Sequence, residues 1–280
     1  MTRIIADSCC DLSPELIRKY DIDIVPMDVL IKDTNYQDGI TIDPPELFRL
    51  VEKTGSMPKT AAPPIATLME HFSGPGEIVY LSISSQLSAS YQNAVIAREN
   101  LQREDIHIID SLNLSTGIGH LVVAAAELNQ QGLKAAEIEE KINQLVPKVR
   151  SSFIIDTLDY LYKGGRCSAM EMVMGSLLKI RPVIEVRSDG TLGVKKKING
   201  SRKKALHSMI DDFAQDLAQV DTKRVFITHT LVDEQEHDAH YIKDELLKIT
   251  NIDEIFITDA GATIASHCGP DTIGILYLIK

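Results

Sequence analysis

Short runs of β-branched and aliphatic residues alternate along the chain with longer stretches of helical period. The runs are Arg3 to Ala6, Ile22 to Ile31, Ile78 to Ile83, Ile106 to Ile109, Phe153 to Ile155, Val183 to Val186, Val225 to Thr228, Ile255 to Thr258 and Ile273 to Ile279. Strand and helix signals in alternation predict an α/β architecture. Ile78-Val79-Tyr80-Leu81 and Val225-Phe226-Ile227 are apolar at every position rather than at every second one. That pattern predicts strands covered on both faces, as in a parallel sheet between helices.

Helix starts are legible. Ser13-Pro14-Glu15 and Asp43-Pro44-Pro45-Glu46 each supply a capping oxygen, a proline where no N–H is needed, and an early acid favourable to the helix dipole. Thr116 to Gln131 reads as a helix closed by Gly132, and Ala135 to Val146 as a second stopped near Pro147, together a helical hairpin. Arg181 to Arg187 and Leu192 to Ile198 flank Ser188-Asp189-Gly190 as a β-hairpin would, so the second sheet is expected to be mixed. The domain boundary is placed near residue 156. This gives an N-terminal α/β domain over 1–156, its mostly parallel sheet flanked by helices, and a C-terminal α/β domain over 157–280 with a smaller mixed sheet and helices.

A length of 280 residues fits two domains, and 44% hydrophobic with 25% charged residues excludes a disordered or fibrous chain. The net charge of −11 argues against a nucleic-acid partner, which needs a basic surface to displace counterions. The longest aliphatic run, Leu121 to Ala126, falls far short of the roughly 20 residues that cross a bilayer. Asp7 interrupts the first apolar stretch before a signal-peptide core forms. Cys9 and Cys10 are adjacent, Cys167 and Cys268 solitary, with no CxxC or zinc spacing. A cytoplasmic location is expected.

Several segments carry candidate chemistry. Asp7-Ser8, Asp110-Ser111, Asp156-Thr157 and Asp259-Ala260 end strands, where an acid either faces a ligand crevice or caps the next helix. Gly117-Ile118-Gly119 is a partial dinucleotide fingerprint, better explained by close helix packing. His237 and His240 among acids read as a metal site or a solvated helix face, and Met170, Met174, Leu177 and Leu178 as core or as an adaptable wall for an alkyl ligand. The more informative pieces are polar and small. Thr60 is the one hydroxyl between Pro58 and Pro64; Ser82 to Tyr91 runs from a strand into a helix, a place suited to an anion; Gly164-Gly165-Arg166 sets a guanidinium on flexible backbone; and His267 lies on a Gly-Pro loop before the last strand. Phosphate-loop, esterase-elbow and zinc-protease motifs are absent from the sequence.

In order along the whole chain, these segments resemble the DegV family. The matching pieces are Asp7-Ser8 with Asp11-Leu12; Lys59-Thr60 with Pro63; Ile83-Ser84-Ser85 with Leu87-Ser88 and Tyr91-Gln92; Leu158 to Leu161 with Gly164-Gly165-Arg166; Lys179 to Pro182; Asp189-Gly190; and His267 to Pro270 with Ile273-Gly274. The resemblance implies two α/β domains with a long-chain fatty acid buried between them. It also implies a non-enzymatic carrier role, in phospholipid metabolism, that presents the acid to a fatty acid kinase subunit. Thr60, the Ser84-Ser85 pair and His267 would hold the carboxylate, with Arg166 nearby, and no metal or cofactor is expected. The chain departs from the family's usual pattern at Thr60-Ala61-Ala62-Pro63, Ser88-Ala89-Ser90-Tyr91 and Gly269-Pro270-Asp271.

Independently, a carboxylate removed from water needs several hydrogen bonds or it protonates, and hydroxyls, a helix start and a histidine supply them. The competing reading is an acyl hydrolase using Ser85 and His267. Finally, Lys195, Lys196, Lys197, Arg202, Lys203 and Lys204 crowd a stretch that has no acid between Asp189 and Asp211. They read as a solvated edge, as a docking surface for the kinase, or as a transient contact with anionic membrane lipid.

Overall fold

The computed structural model describes residues 2–157, 159–165, 180–230 and 236–280. The chain forms β1 (Arg3–Asp7), α1 (Pro14–Tyr20), β2 (Ile22–Val25), β3 (Asp28–Ile31), β4 (Thr34–Gln37), α2 (Pro44–Thr54), β5 (Lys59–Ala61), α3 (Ile65–Phe72), β6 (Ile78–Ser82), α4 (Ser90–Leu101), β7 (Ile106–Asp110), α5 (Thr116–Gln130) and α6 (Ala135–Leu145). It continues with β8 (Val149–Ile154), α7 (Asp159–Gly164), β9 (Ile180–Val186), β10 (Leu192–Asn199), α8 (Arg202–Asp216), β11 (Val220–His229), α9 (Glu236–Ile249), β12 (Glu254–Asp259), α10 (Ala262–Cys268) and β13 (Ile273–Ile279).

Three sheets result. One is four-stranded and wholly parallel, in the order β2-β1-β6-β7, as the unbroken apolar runs predict. The second is six-stranded and mixed, in the order β10-β9-β8-β13-β11-β12, with β11 and β12 its one parallel pair among the described strands. The Asp-Gly turn joins β9 to β10 as an antiparallel hairpin. The strand that follows the helical hairpin, β8, bonds to β9 and β13, so this second sheet opens at Val149.

The third sheet, β4-β3-β5, is antiparallel and departs from the two-sheet arrangement the sequence pattern predicts. In the sequence, Ile22 to Ile31 reads as one run. Pro26 lacks an N–H and breaks the ladder there, so β2 stays in the parallel sheet while β3 turns away to pair with β4 and β5.

The two larger sheets face one another across α5. Nearly every residue from Thr116 to Ala126 is buried, as expected of a helix that is apolar on all sides. The principal core joins Ile4, Val79 and Leu81 to Ile118, Leu121 and Val122 of α5, and these to Phe153, Phe226 and Leu276 of the mixed sheet. Such close approach explains Gly117 and Gly119. A Cβ on Gly117 would strike the Asn113 and Ser151 side chains, and one on Gly119 would press on the Cys10 carbonyl and Leu12. The outer faces are covered by α3 and α4 on the parallel sheet and by α8 and α9 on the mixed one. The predicted caps are present: Ser13 accepts from the Leu16 N–H and Asp43 from the Glu46 N–H.

Candidate functional site

A cavity of about 160 Å³ opens where the three sheets meet. Met27, Ile83, Leu87, Leu114, Leu161, Leu192, Ile264 and Cys268 make most of its wall, and Thr60, Ser88, Thr263 and His267 bring polar atoms to it. These residues come from distant parts of the chain. Thr60 stands on β5, opposite Val29 of β3. Ser88 precedes α4, Leu192 opens β10, and Thr263 and His267 project from α10.

Thr60 and His267, 207 residues apart, are joined by a 2.7 Å hydrogen bond between Oγ1 and Nε2. Gly164, at the end of α7, lies against the other side of the imidazole: a Cβ there would collide with His267 Nδ1. Only hydrogen fits at that position. The Thr263 hydroxyl is buried and has no hydrogen-bond partner among the described residues, so it is available to a ligand in the cavity it lines. Ala89 is the N-cap of α4 and lines the cavity beside Ser88, so the positive end of a 12-residue helix adjoins the polar wall.

His267 sits in the last turn of α10 rather than on a loop, with Gly269 ending the helix at φ 76°. No local residue caps this helix. Its N-terminus is held instead by two buried acids from the other half of the chain: Asp11 accepts from the Gly261 N–H at 2.8 Å and Asp38 from the Ala262 N–H at 2.7 Å. Each acid's second oxygen is also used, by Ser115 on Asp11 at 2.6 Å and by Ser8 on Asp38 at 2.9 Å. Burial drives the Asp11 carboxyl well above its ordinary range, against the lowering effect of those hydrogen bonds. Asp11 and Asp38 therefore fix α10, and with it His267 and Thr263, against the N-terminal half. Sequence reading missed both roles because the partners are 250 and 224 residues away.

The other expected site residues divide. Ser84 is fully buried and its hydroxyl donates to the Gly190 carbonyl at 2.9 Å, tying the β9–β10 turn to the loop after β6. Ser85 is half-buried and its backbone N–H donates to Asp110. Among the described residues neither serine lines the cavity, whereas Ser88 does. Arg166 and the Met170 to Leu178 stretch lie outside the described residues. His267 directs Nε2 to Thr60, which is not the serine contact that a Ser85 hydrolase requires.

The strand-end acids hold loops. Asp7, fully buried, accepts from the Tyr80 hydroxyl and, at 2.9 Å, from the Ile83 N–H, and burial pushes its carboxyl up to about 6. Asp110 accepts from the Ser85 and Leu112 N–H groups. Asp156 pairs with Arg181, and Asp259 lies 3.5 Å from His229. None of the four lines the cavity. Asp238, between His237 and His240, binds Arg202 at 2.6 Å.

The basic stretch is partly neutralised. A bulge between Val194 and Lys196 turns both Lys195 and Lys196 toward Asp212, and Arg202 is taken up by Asp238 and the Asp271 carbonyl. Lys197, Lys203 and Lys204 are exposed and have no ion-pair partner among the described residues.

Comparison with known proteins gives one family for the whole chain. A family model described as "Uncharacterised protein, DegV family" matches residues 1–280. A DegV domain-containing protein from Caldanaerobacter subterraneus subsp. tengcongensis is 31% identical over 278 residues, covering 98% of this chain and 97% of that protein. A structure reported for fatty acid binding, a DegV family protein from Thermus thermophilus, superposes with a TM-score of 0.89 at 25% identity, covering 100% of this chain and 99% of that one. A stearic acid-binding protein from Eubacterium ventriosum gives a TM-score of 0.88 at 26% identity, covering 100% and 99%. No helix among the described residues is long and apolar enough to cross a membrane.

Proposed function

The chain belongs to the DegV family, and from that premise we propose that it binds a long-chain fatty acid and presents the carboxylate to a partner kinase for conversion to an acyl phosphate. The observation that carries this reading is the Thr60–His267 pair set at the polar wall of an otherwise apolar cavity. The acyl chain occupies the apolar part, where each buried CH₂ contributes roughly 0.8 kcal/mol. The carboxylate accepts from Thr263 and from the Thr60 hydroxyl, whose oxygen in turn takes the imidazole Nε2–H, with Ser88 beside it and the start of α4 adding a favourable dipole.

In this reading Ser84 is a brace rather than a ligand, because its hydroxyl is committed to Gly190. Arg166 remains a proposed companion of the head group. The chain supplies binding and orientation, and the kinase transfers the γ-phosphoryl group of ATP to the carboxylate, releasing ADP. The exposed lysines at 197, 203 and 204 form the docking edge, since complementary charge raises the rate of encounter.

Loaded protein, ATP and a fatty acid kinase subunit, quenched with hydroxylamine, test the proposal. The expected product is the fatty acyl hydroxamate, formed only when all three are present. Rapid release of free acid from an acyl ester by the protein alone, with no hydroxamate, would instead establish the hydrolase.

A further inference from the structure

A second cavity, of about 380 Å³, lies between the α5–α6 hairpin and strands β11 and β13, and shares no residue with the acyl cavity. Its lining residues include Lys141, Lys148, Lys223 and Arg224 but only two acids, Glu127 and Asp221. In a chain of net charge −11 that is a local reversal of sign. The cations are not equivalent. Arg224 is buried and fixed by Glu127 and Glu254, at 2.7 and 2.8 Å, and Lys223 also reaches Glu127 at 2.7 Å. Lys141 and Lys148 have no ion-pair partner among the described residues.

The inner wall carries a second unmet demand. His120 of α5 is 1% exposed, and its Nε2 is hydrogen-bonded to the Leu276 carbonyl at 3.0 Å. That bond makes Nε2 the protonated nitrogen of a neutral ring and leaves Nδ1 an acceptor without a partner among the described residues. A buried unpartnered acceptor beside a cavity calls for a donor, which a phosphate monoester supplies through its remaining O–H and a carboxylate only when the ring takes up a proton. Ala124, Leu128 and Leu278 supply apolar surface between the charged groups. A simple ion would leave that surface wet.

We propose that this cavity binds a small organic oxyanion, a phosphate or carboxylate carried on an apolar body. Lys141 and Lys148 meet the charged group, the fixed Arg224 adds to the field around it, and the aliphatic residues cover the body. The proposal stands apart from fatty-acid binding, because the two cavities have separate walls.

Phenyl phosphate, benzoate and benzyl alcohol, titrated in turn into the full chain while the His120 ring resonance is followed by NMR, separate the alternatives. The expected result is a saturable shift with one or both anions and none with the alcohol, and comparison of the two anions identifies the preferred charged group. In the Lys141→Ala/Lys148→Ala double variant the anion should bind about tenfold more weakly, as the loss of two partly exposed charge contacts implies. Fatty-acid affinity and thermal unfolding should be unchanged. Absence of saturation up to about 10 mM, a dissociation constant too weak for a built site, would overturn the proposal. So would equal shifts from the alcohol, or anion affinity indifferent to the two lysines.

Discussion

Single atoms decide whether the polar wall of the acyl cavity works. Thr60→Ala removes one hydrogen bond to a charged head group and should weaken fatty-acid binding by about 1 to 3 kcal/mol. His267→Ala should act similarly while the fold persists, since His267 belongs to a short helix whose buried contacts are made by its neighbours. A fluorescent fatty-acid titration beside a thermal melt reads both effects, and unchanged affinity in both variants would remove the pair from the site. Gly164→Ala is a subtler probe. It adds one methyl group where His267 Nδ1 already stands, so the ring must turn away from Thr60. Affinity should fall about as far as in His267→Ala although position 164 carries no side chain to meet the ligand.

At the scale of elements, α10 is the part whose placement matters most, and it is held by Asp11 and Asp38 rather than by its own sequence. Asp38→Ala would leave the Ala262 N–H and the Ser8 hydroxyl without their acceptor. The buried Ala262 N–H alone, left unpaired, costs about 1 to 3 kcal/mol. Urea unfolding should show a loss of that order, and fatty-acid affinity should fall with it because Thr263 and His267 lose their register. A variant as stable and as tight as the parent would show that α10 is positioned otherwise. These elements also show what could be read from the chain. The parallel strands, the α5–α6 hairpin, the β9–β10 hairpin and the caps at Ser13 and Asp43 are local in origin, set by apolar runs, prolines and turn residues. Thr60 and His267 were legible as residues of a kind. Three things were not. The strand at Lys59–Ala61 lies in a proline-bounded segment that reads as loop, α10 has no local cap, and the choice of Ser88 over Ser84 depends on which serine meets the Gly190 carbonyl across the fold. Each is a long-range contact with no periodic trace.

At the scale of the whole molecule, two buried groups give stability opposite pH dependences. Burial lowers His120 to about 4 from an ordinary 6.5, so its contribution is fully present above pH 6.5 and is lost as pH falls toward 4. Burial raises Asp7 to about 6 from 3.8, so its contribution is fully present below pH 3.8 and is lost as pH rises toward 6. At 1.36 kcal/mol per pKa unit, each amounts to about 3 kcal/mol, with opposite signs over the same window. In His120→Gln the first contribution disappears. Relative to the parent, the variant should therefore gain about 3 kcal/mol between pH 6.5 and pH 4, a difference read by urea unfolding, and a pH-independent difference would contradict it. The basic edge acts on the same scale. Lys203→Glu with Lys204→Glu should slow acyl-phosphate formation at physiological salt and leave fatty-acid affinity unchanged, whereas reversal at Arg202 would also break its bond to Asp238. Normal turnover in the double variant would reduce that edge to a solubilising surface. The carrier role depends on what fills the cavity where the three sheets meet. Native mass spectrometry of the protein purified from cells, followed by denaturing extraction of its ligand, measures that directly. The account predicts one long-chain fatty acid per chain, lost or reduced in the Thr60→Ala/His267→Ala double variant. A chain that carries no fatty acid and takes up none on exposure to C14 to C18 acids would contradict it.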